Sequence, residues 1–119
     1  MTGIAAYKEM SVTTQNKGRL VVLLYDGAVK NLKLAVEAVN RGDTAEKNLR
    51  IGKAMDIIQE LDCCLDLDAG GEIAQNLRKL YVFMNQHLLK GSVRNNVRNF
   101  QEVIALLEDL NTAWKAITT

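Results

Sequence analysis

The chain has 119 residues, with 15 Lys plus Arg against 14 Asp plus Glu. That length suits one domain over residues 1–119, and a near-neutral balance without a basic cluster excludes the charge footprint of a nucleic-acid binder. Apolar residues make up 48% and aromatics 5%, so the core must be built of Leu, Val, Ile, Ala and Met, and the absence of proline leaves long stretches free to be helical.

Residues 1–16 show no helical period but carry Ile4, Tyr7, Met10 and Val12 as apolar anchors in a polar stretch. They are expected to form an arm or short cap helix on a bundle of residues 17–117. The start, Met-Thr-Gly-Ile-Ala-Ala-Tyr-Lys, lacks the basic flank and long apolar stretch of a signal peptide, and no run approaches the roughly 18 apolar residues of a membrane span. A cytoplasmic location without membrane insertion is expected. Periodicity then predicts helices over 17–41, 44–67, 72–90 and 96–117. The turn signals between them are Arg41-Gly42-Asp43, Asp68-Ala69-Gly70-Gly71, and Gly91-Ser92 through Asn95-Asn96. Connections this short join antiparallel neighbours, so the expected fold is all-α, an antiparallel four-helix bundle. Gly42 and Gly91 sit where helices should stop, Asp43 with Glu46 reads as a capping-box variant, and Asn96 as the cap of the last helix.

The first helix is unusually apolar. Leu20-Val21-Val22-Leu23-Leu24-Tyr25 is continuous, and Ala28, Val29, Leu32, Leu34, Ala35, Val36 and Val39 carry it round the cylinder, with Asp26, Lys30, Lys33 and Glu37 as the polar strip. The apolar arc is about 240°, twice what one bundle face needs. The arm, a second copy of the chain in a homodimer, or a partner helix would each cover the surplus. The second helix is ordinarily amphipathic, with Ile51, Ala54, Met55, Ile57, Ile58, Leu61 and Leu65 on one face. In the third, Ile73, Leu77, Leu80, Tyr81, Met84 and Leu88 form the core stripe, while Val82, Phe83 and Leu89 fall outside it. Phe100, Val103, Ile104, Leu107, Leu110 and Trp114 line the fourth.

Catalytic signals are thin. Cys63 and Cys64 are adjacent, a poor geometry for a mutual bridge, and no other ligands accompany them, so they read as reduced thiols without a metal. Asp66 and Asp68 flank a turn as a cap or solvated end. His87-Leu88-Leu89-Lys90-Gly91 is similar to the signature of histidine phosphotransfer bundles, in which an imidazole takes a phosphoryl group, a lysine offsets its charge and a glycine clears space. That family carries its histidine in mid-helix among acidic residues, whereas here Gly91 and a polar turn should end the helix within one turn. A histidine so placed is more often a partner of the helix dipole.

Another resemblance spans almost the whole chain. Ala5-Ala6-Tyr7-Lys8, Ser11-Val12-Thr13-Thr14, Leu23-Leu24-Tyr25-Asp26-Gly27-Ala28 and Ile57-Ile58-Gln59-Glu60-Leu61 open the series. Leu67-Asp68-Ala69-Gly70-Gly71-Glu72-Ile73-Ala74-Gln75-Asn76-Leu77, Leu80-Tyr81-Val82-Phe83-Met84 and Ala113-Trp114-Lys115 complete it. Together and in this order they resemble the FliS family of flagellin export chaperones. The resemblance implies a cytoplasmic bundle that binds the C-terminal helical segment of flagellin, blocks premature polymerisation and aids delivery to the export gate. It implies no enzyme activity, cofactor or nucleotide. It also implies that the arm, through Tyr7, covers a groove and yields to the client. Tyr7, Met10 and Val12 of the arm, with Leu24, Tyr25, Val29 and Tyr81 of the first and third helices, are the candidate client-binding residues. Asn16-Lys17-Gly18-Arg19-Leu20 departs from the Ser-Pro start common in the family, so a frayed helix entry is expected.

Overall fold

The computed structural model of the protein describes residues 14–118, with side chains from Gly18 to Ile117. Those residues form four α-helices: α1 (Thr14–Asn40), α2 (Thr44–Cys63), α3 (Leu67–Arg94) and α4 (Val97–Thr118). α1 packs on α2 and α4, and α3 packs less extensively on the same two. Helices joined by such short turns alternate in direction, giving the expected antiparallel four-helix bundle, with α1 and α3 on one diagonal.

The ends are set by local chemistry. α1 stops in paired bonds, Asp43 N–H to the Ala38 carbonyl at 2.8 Å and Gly42 N–H to that of Val39 at 3.0 Å, with Gly42 at φ 75°. Asp43 then caps α2 by accepting from the Glu46 amide at 3.1 Å. The reciprocal half of a capping box is not made, because the Glu46 carboxylate takes the Arg50 guanidinium one turn on, at 2.6 Å. Asp66 caps α3 through the Ala69 amide at 3.0 Å, and Asn96 accepts from the Arg98 amide at 3.1 Å at the start of α4.

Three boundaries differ from expectation. α1 begins at Thr14, three residues before the expected start at 17, and runs through Asn16-Lys17-Gly18. α2 ends at Cys63, and α3 starts at Leu67 but is interrupted at Gly71, whose φ 55°, ψ −130° is open to glycine alone. α3 does not stop at Gly91. It continues to Arg94 and ends at Asn95, left-handed at φ 50°, where Asn96 N–H reaches the Gly91 carbonyl at 2.9 Å. Gly91 is instead a buried contact: a Cβ there would lie 2.5 Å from Asn99 Cβ.

Tyr25, Ala28, Leu32 and Ala35 of α1 meet Ile51, Ala54, Ile58 and Leu61 of α2, Tyr81, Met84 and Leu88 of α3, and Phe100, Val103 and Leu107 of α4. The apolar surplus expected on α1 is largely absorbed. Leu24, Val29, Val36 and Val39 are half-buried against the core, and among the large apolar side chains of α1 only Leu23 is exposed, at 65%. The reason is size. Ala28, Ala35 and Ala38 let α1 approach both neighbours closely, so α2 and α4 cover its flanks as well as its inner face. The polar strip faces α4 in part, where Lys33 pairs with Glu108 at 3.3 Å and Asp26 with Lys115 at 3.4 Å. The exposed apolar residues lie mainly on α3: Ile73, Val82, Phe83, Leu89 and Val93.

Candidate functional site

At one end of the bundle the start of α1, the end of α2, the start of α3 and the end of α4 converge on an apolar groove of about 420 Å³. Gly18 and Val21 of α1, Leu61 of α2, Leu77 and Tyr81 of α3, and Trp114 of α4 form its walls, with Leu65 from the α2–α3 connection. Ile73 and Ile117 stand at its rim, each 74% exposed. The kink at Gly71 sets residues 67–70 apart from the rest of α3, and Ile73, expected in the core stripe, lies just past that break near the helix end and faces solvent.

Beneath the groove, the Tyr25 and Tyr81 hydroxyls meet at 2.5 Å across the bundle diagonal, their rings 6.5 Å apart. Trp114 also bonds the Tyr25 hydroxyl. Burial, opposed by these bonds, raises the Tyr25 hydroxyl above the ordinary tyrosine pKa. Burial first, then the Tyr25 neighbour and the negative potential of Cys64 and Asp62, pushes Tyr81 further up. Both stay neutral at physiological pH, so the polar atoms under the groove are mutually satisfied and its surface is greasy.

Of the residues singled out from the sequence, Tyr81 lines the groove and Tyr25 is fully buried behind it. Leu24 and Val29 do not reach it. They lie about 140° apart on α1, with Val29 beside Asn111 of α4 and Leu24 on the flank that carries Gly27, which meets Ile57 of α2. Tyr7, Met10 and Val12 lie outside the described residues. Leu77, Ile73, Trp114 and Ile117 were not singled out as binding residues. Each reads as ordinary core periodicity, and only the meeting of four helix ends makes them one surface.

The family model described as "Flagellar protein FliS" matches residues 1–119. The chain belongs to the FliS family. It is 37% identical to the flagellar secretion chaperone FliS of Salmonella typhimurium over 98% of this chain and 90% of that protein. Identity to the FliS of Vibrio cholerae is 34%, over 96% and 87%, and to FliSB of Pseudomonas aeruginosa 35%, over 99% and 97%. No helix among the described residues of this FliS chain is long and apolar enough to cross a membrane.

Membership bears on the phosphotransfer motif. The structure removes both sequence arguments against it, since α3 runs seven residues beyond His87 and an acidic residue is present. That residue supplies a better one. Glu102 Oε1 lies 2.9 Å from His87 Nε2, and Phe83 stacks on the ring with centroids 5.1 Å apart. A phosphoryl group arriving at that nitrogen would have to displace a carboxylate of its own charge sign. In this FliS chain His87 ties α3 to α4. Among the described residues no three His, Cys, Asp or Glu are grouped to hold a metal ion. Cys63 is exposed, and Cys64 lies in the groove wall.

Proposed function

We propose that this protein binds the C-terminal helical segment of flagellin in the cytoplasm, keeps it from polymerising and hands it to the export gate, without catalysis. The observation that carries the reading is the apolar groove at the four helix ends, with Ile73 and Ile117 exposed at its rim. A wet surface of that kind costs roughly 1.5–3 kcal/mol per large side chain relative to burial, which a client helix recovers. The naming of three relatives as flagellar secretion chaperones supports a client drawn from flagellar secretion. Tyr81 forms part of the groove wall and Tyr25 holds it in place, while Leu24 and Val29 brace α1. Tyr7, Met10 and Val12 belong to the arm that the client displaces.

Calorimetric titration of a flagellin C-terminal peptide tests this. Ile73→Asp, at a solvent-exposed position, should leave the melting temperature unchanged and weaken binding about tenfold or more. Deleting the first 13 residues should tighten binding several-fold, because the competing arm is gone. Equal affinity for wild type and Ile73→Asp would remove the groove from client binding.

A further inference from the structure

A second apolar surface lies toward the other end of α3. Val82, Leu89 and Val93 are exposed there, and at 100° per residue they fall within about 40° of one another. Cations run beside them. From Ile73 to Gln101 the chain carries Arg78, Lys79, Lys90, Arg94 and Arg98 and no carboxylate, a local excess of positive charge that the near-neutral total conceals. Arg78 pairs with Asp62 at 3.7 Å, and the other four have no ion pair among the described residues. Where α3 turns into α4, Leu89, Lys90, Val93, Arg94, Asn96 and Asn99 surround a hollow of about 710 Å³, with His87, held by Glu102, completing its wall. The carboxylates on neighbouring elements are engaged: Glu102 by His87, Glu46 by Arg50, and Asp43 as the α2 cap.

We propose that this hollow docks an acidic amphipathic helix of a partner protein, its apolar side chains entering beside Leu89 and Val93 and its carboxylates meeting Lys90, Arg94 and Arg98. Leu89 and Val93 are one helical turn apart, the spacing a partner helix offers in return. Lys90 and Arg94 in the wall, with Arg98 in the first turn of α4, lack a carboxylate partner among the described residues, and their charge selects an acidic partner and speeds its encounter. The surface is concave and walled by two asparagine amides, which suits side chains rather than a lipid plane, where a convex apolar ridge inserts. Four free cations on a chain of net charge +1 fall short of a nucleic-acid stripe. About 18 Å of α3 separates Leu77 in the groove from Leu89, so both surfaces can be filled together.

The probe is a synthetic helix of about 18 residues built from Glu, Ala and Leu, with leucines at i, i+4 and i+7. Titrated into the full-length chain, it should move amide signals between Gln86 and Asn99 and leave those around Leu77 in place. Affinity should fall about tenfold between roughly 0.05 and 0.5 M salt. Lys90→Glu with Arg94→Glu should abolish binding, admit the same peptide with Lys for Glu, and leave flagellin-peptide affinity intact. Absence of shifts, or equal binding of the Lys peptide by wild type, would overturn the proposal. So would sedimentation with phosphatidylglycerol vesicles in place of peptide binding, which would assign the patch to membranes. An equal loss of flagellin peptide in the charge-reversed variant would merge the patch with the client site and end its separate role.

Discussion

Tyr25 and Tyr81 bury two hydroxyls whose partners among the described residues are each other and Trp114. Tyr25→Phe or Tyr81→Phe alone strands a polar partner and should cost about 1–2 kcal/mol. The double variant should cost less than the sum of the singles, an interaction that a double-mutant cycle from urea unfolding will measure. Because both hydroxyls titrate higher in the folded chain than in the unfolded one, the folded state retains more protons above the ordinary tyrosine pKa of about 10. Stability from this pair is therefore complete below about pH 10 and falls as pH rises beyond it. Alkaline unfolding followed by far-ultraviolet circular dichroism should be shallower in Tyr25→Phe/Tyr81→Phe. Gly91 is a matter of space: Gly91→Ala should cost about 1–3 kcal/mol through overlap with Asn99. Gly52→Ala, whose Cβ meets nothing within 4 Å, should instead stabilise by up to about 1 kcal/mol. Thermal melts will separate the two.

Among the elements, α3 departs furthest from its periodicity. Gly71 breaks it near the start, and Asn95 in the left-handed region ends it four residues beyond the glycine that looked like its stop. Asn95→Ala should cost about 1–2 kcal/mol and Asn95→Gly nothing comparable, since only the former meets the left-handed steric penalty. Urea midpoints of the two variants check this. The inner faces of α2 and α4 were legible almost residue by residue, because one buried stripe per helix is all that periodicity has to report. α1 was less so, since its wheel counts apolar residues but not the distance at which a neighbour sits. Lys47 was missed altogether. Its stem is buried and its ammonium group donates to the Ser92 carbonyl at 2.8 Å, joining α2 to the last turns of α3.

For the molecule as a whole, the groove and the basic hollow occupy different ends of α3, and occupancy of the groove should be visible in Trp114, the single tryptophan of the chain. Saturating flagellin peptide should shift its emission to shorter wavelength and raise stability by about 2.7 kcal/mol at a hundredfold excess over Kd. The acidic probe should leave Trp114 emission unchanged.

Composition, the lack of proline, short polar turns and apolar spacing were sufficient for an all-α antiparallel bundle and for most of its buried residues. These are local properties, and a helix shows its inner face in its own sequence. Where apolar surface stays wet is not local. It depends on how closely α1 settles between α2 and α4 over its alanines, on Ile73 lying near the end of α3 where no neighbour covers it, and on four helix ends meeting at one place. Exposure is a property of neighbours, and neighbours are assigned by packing.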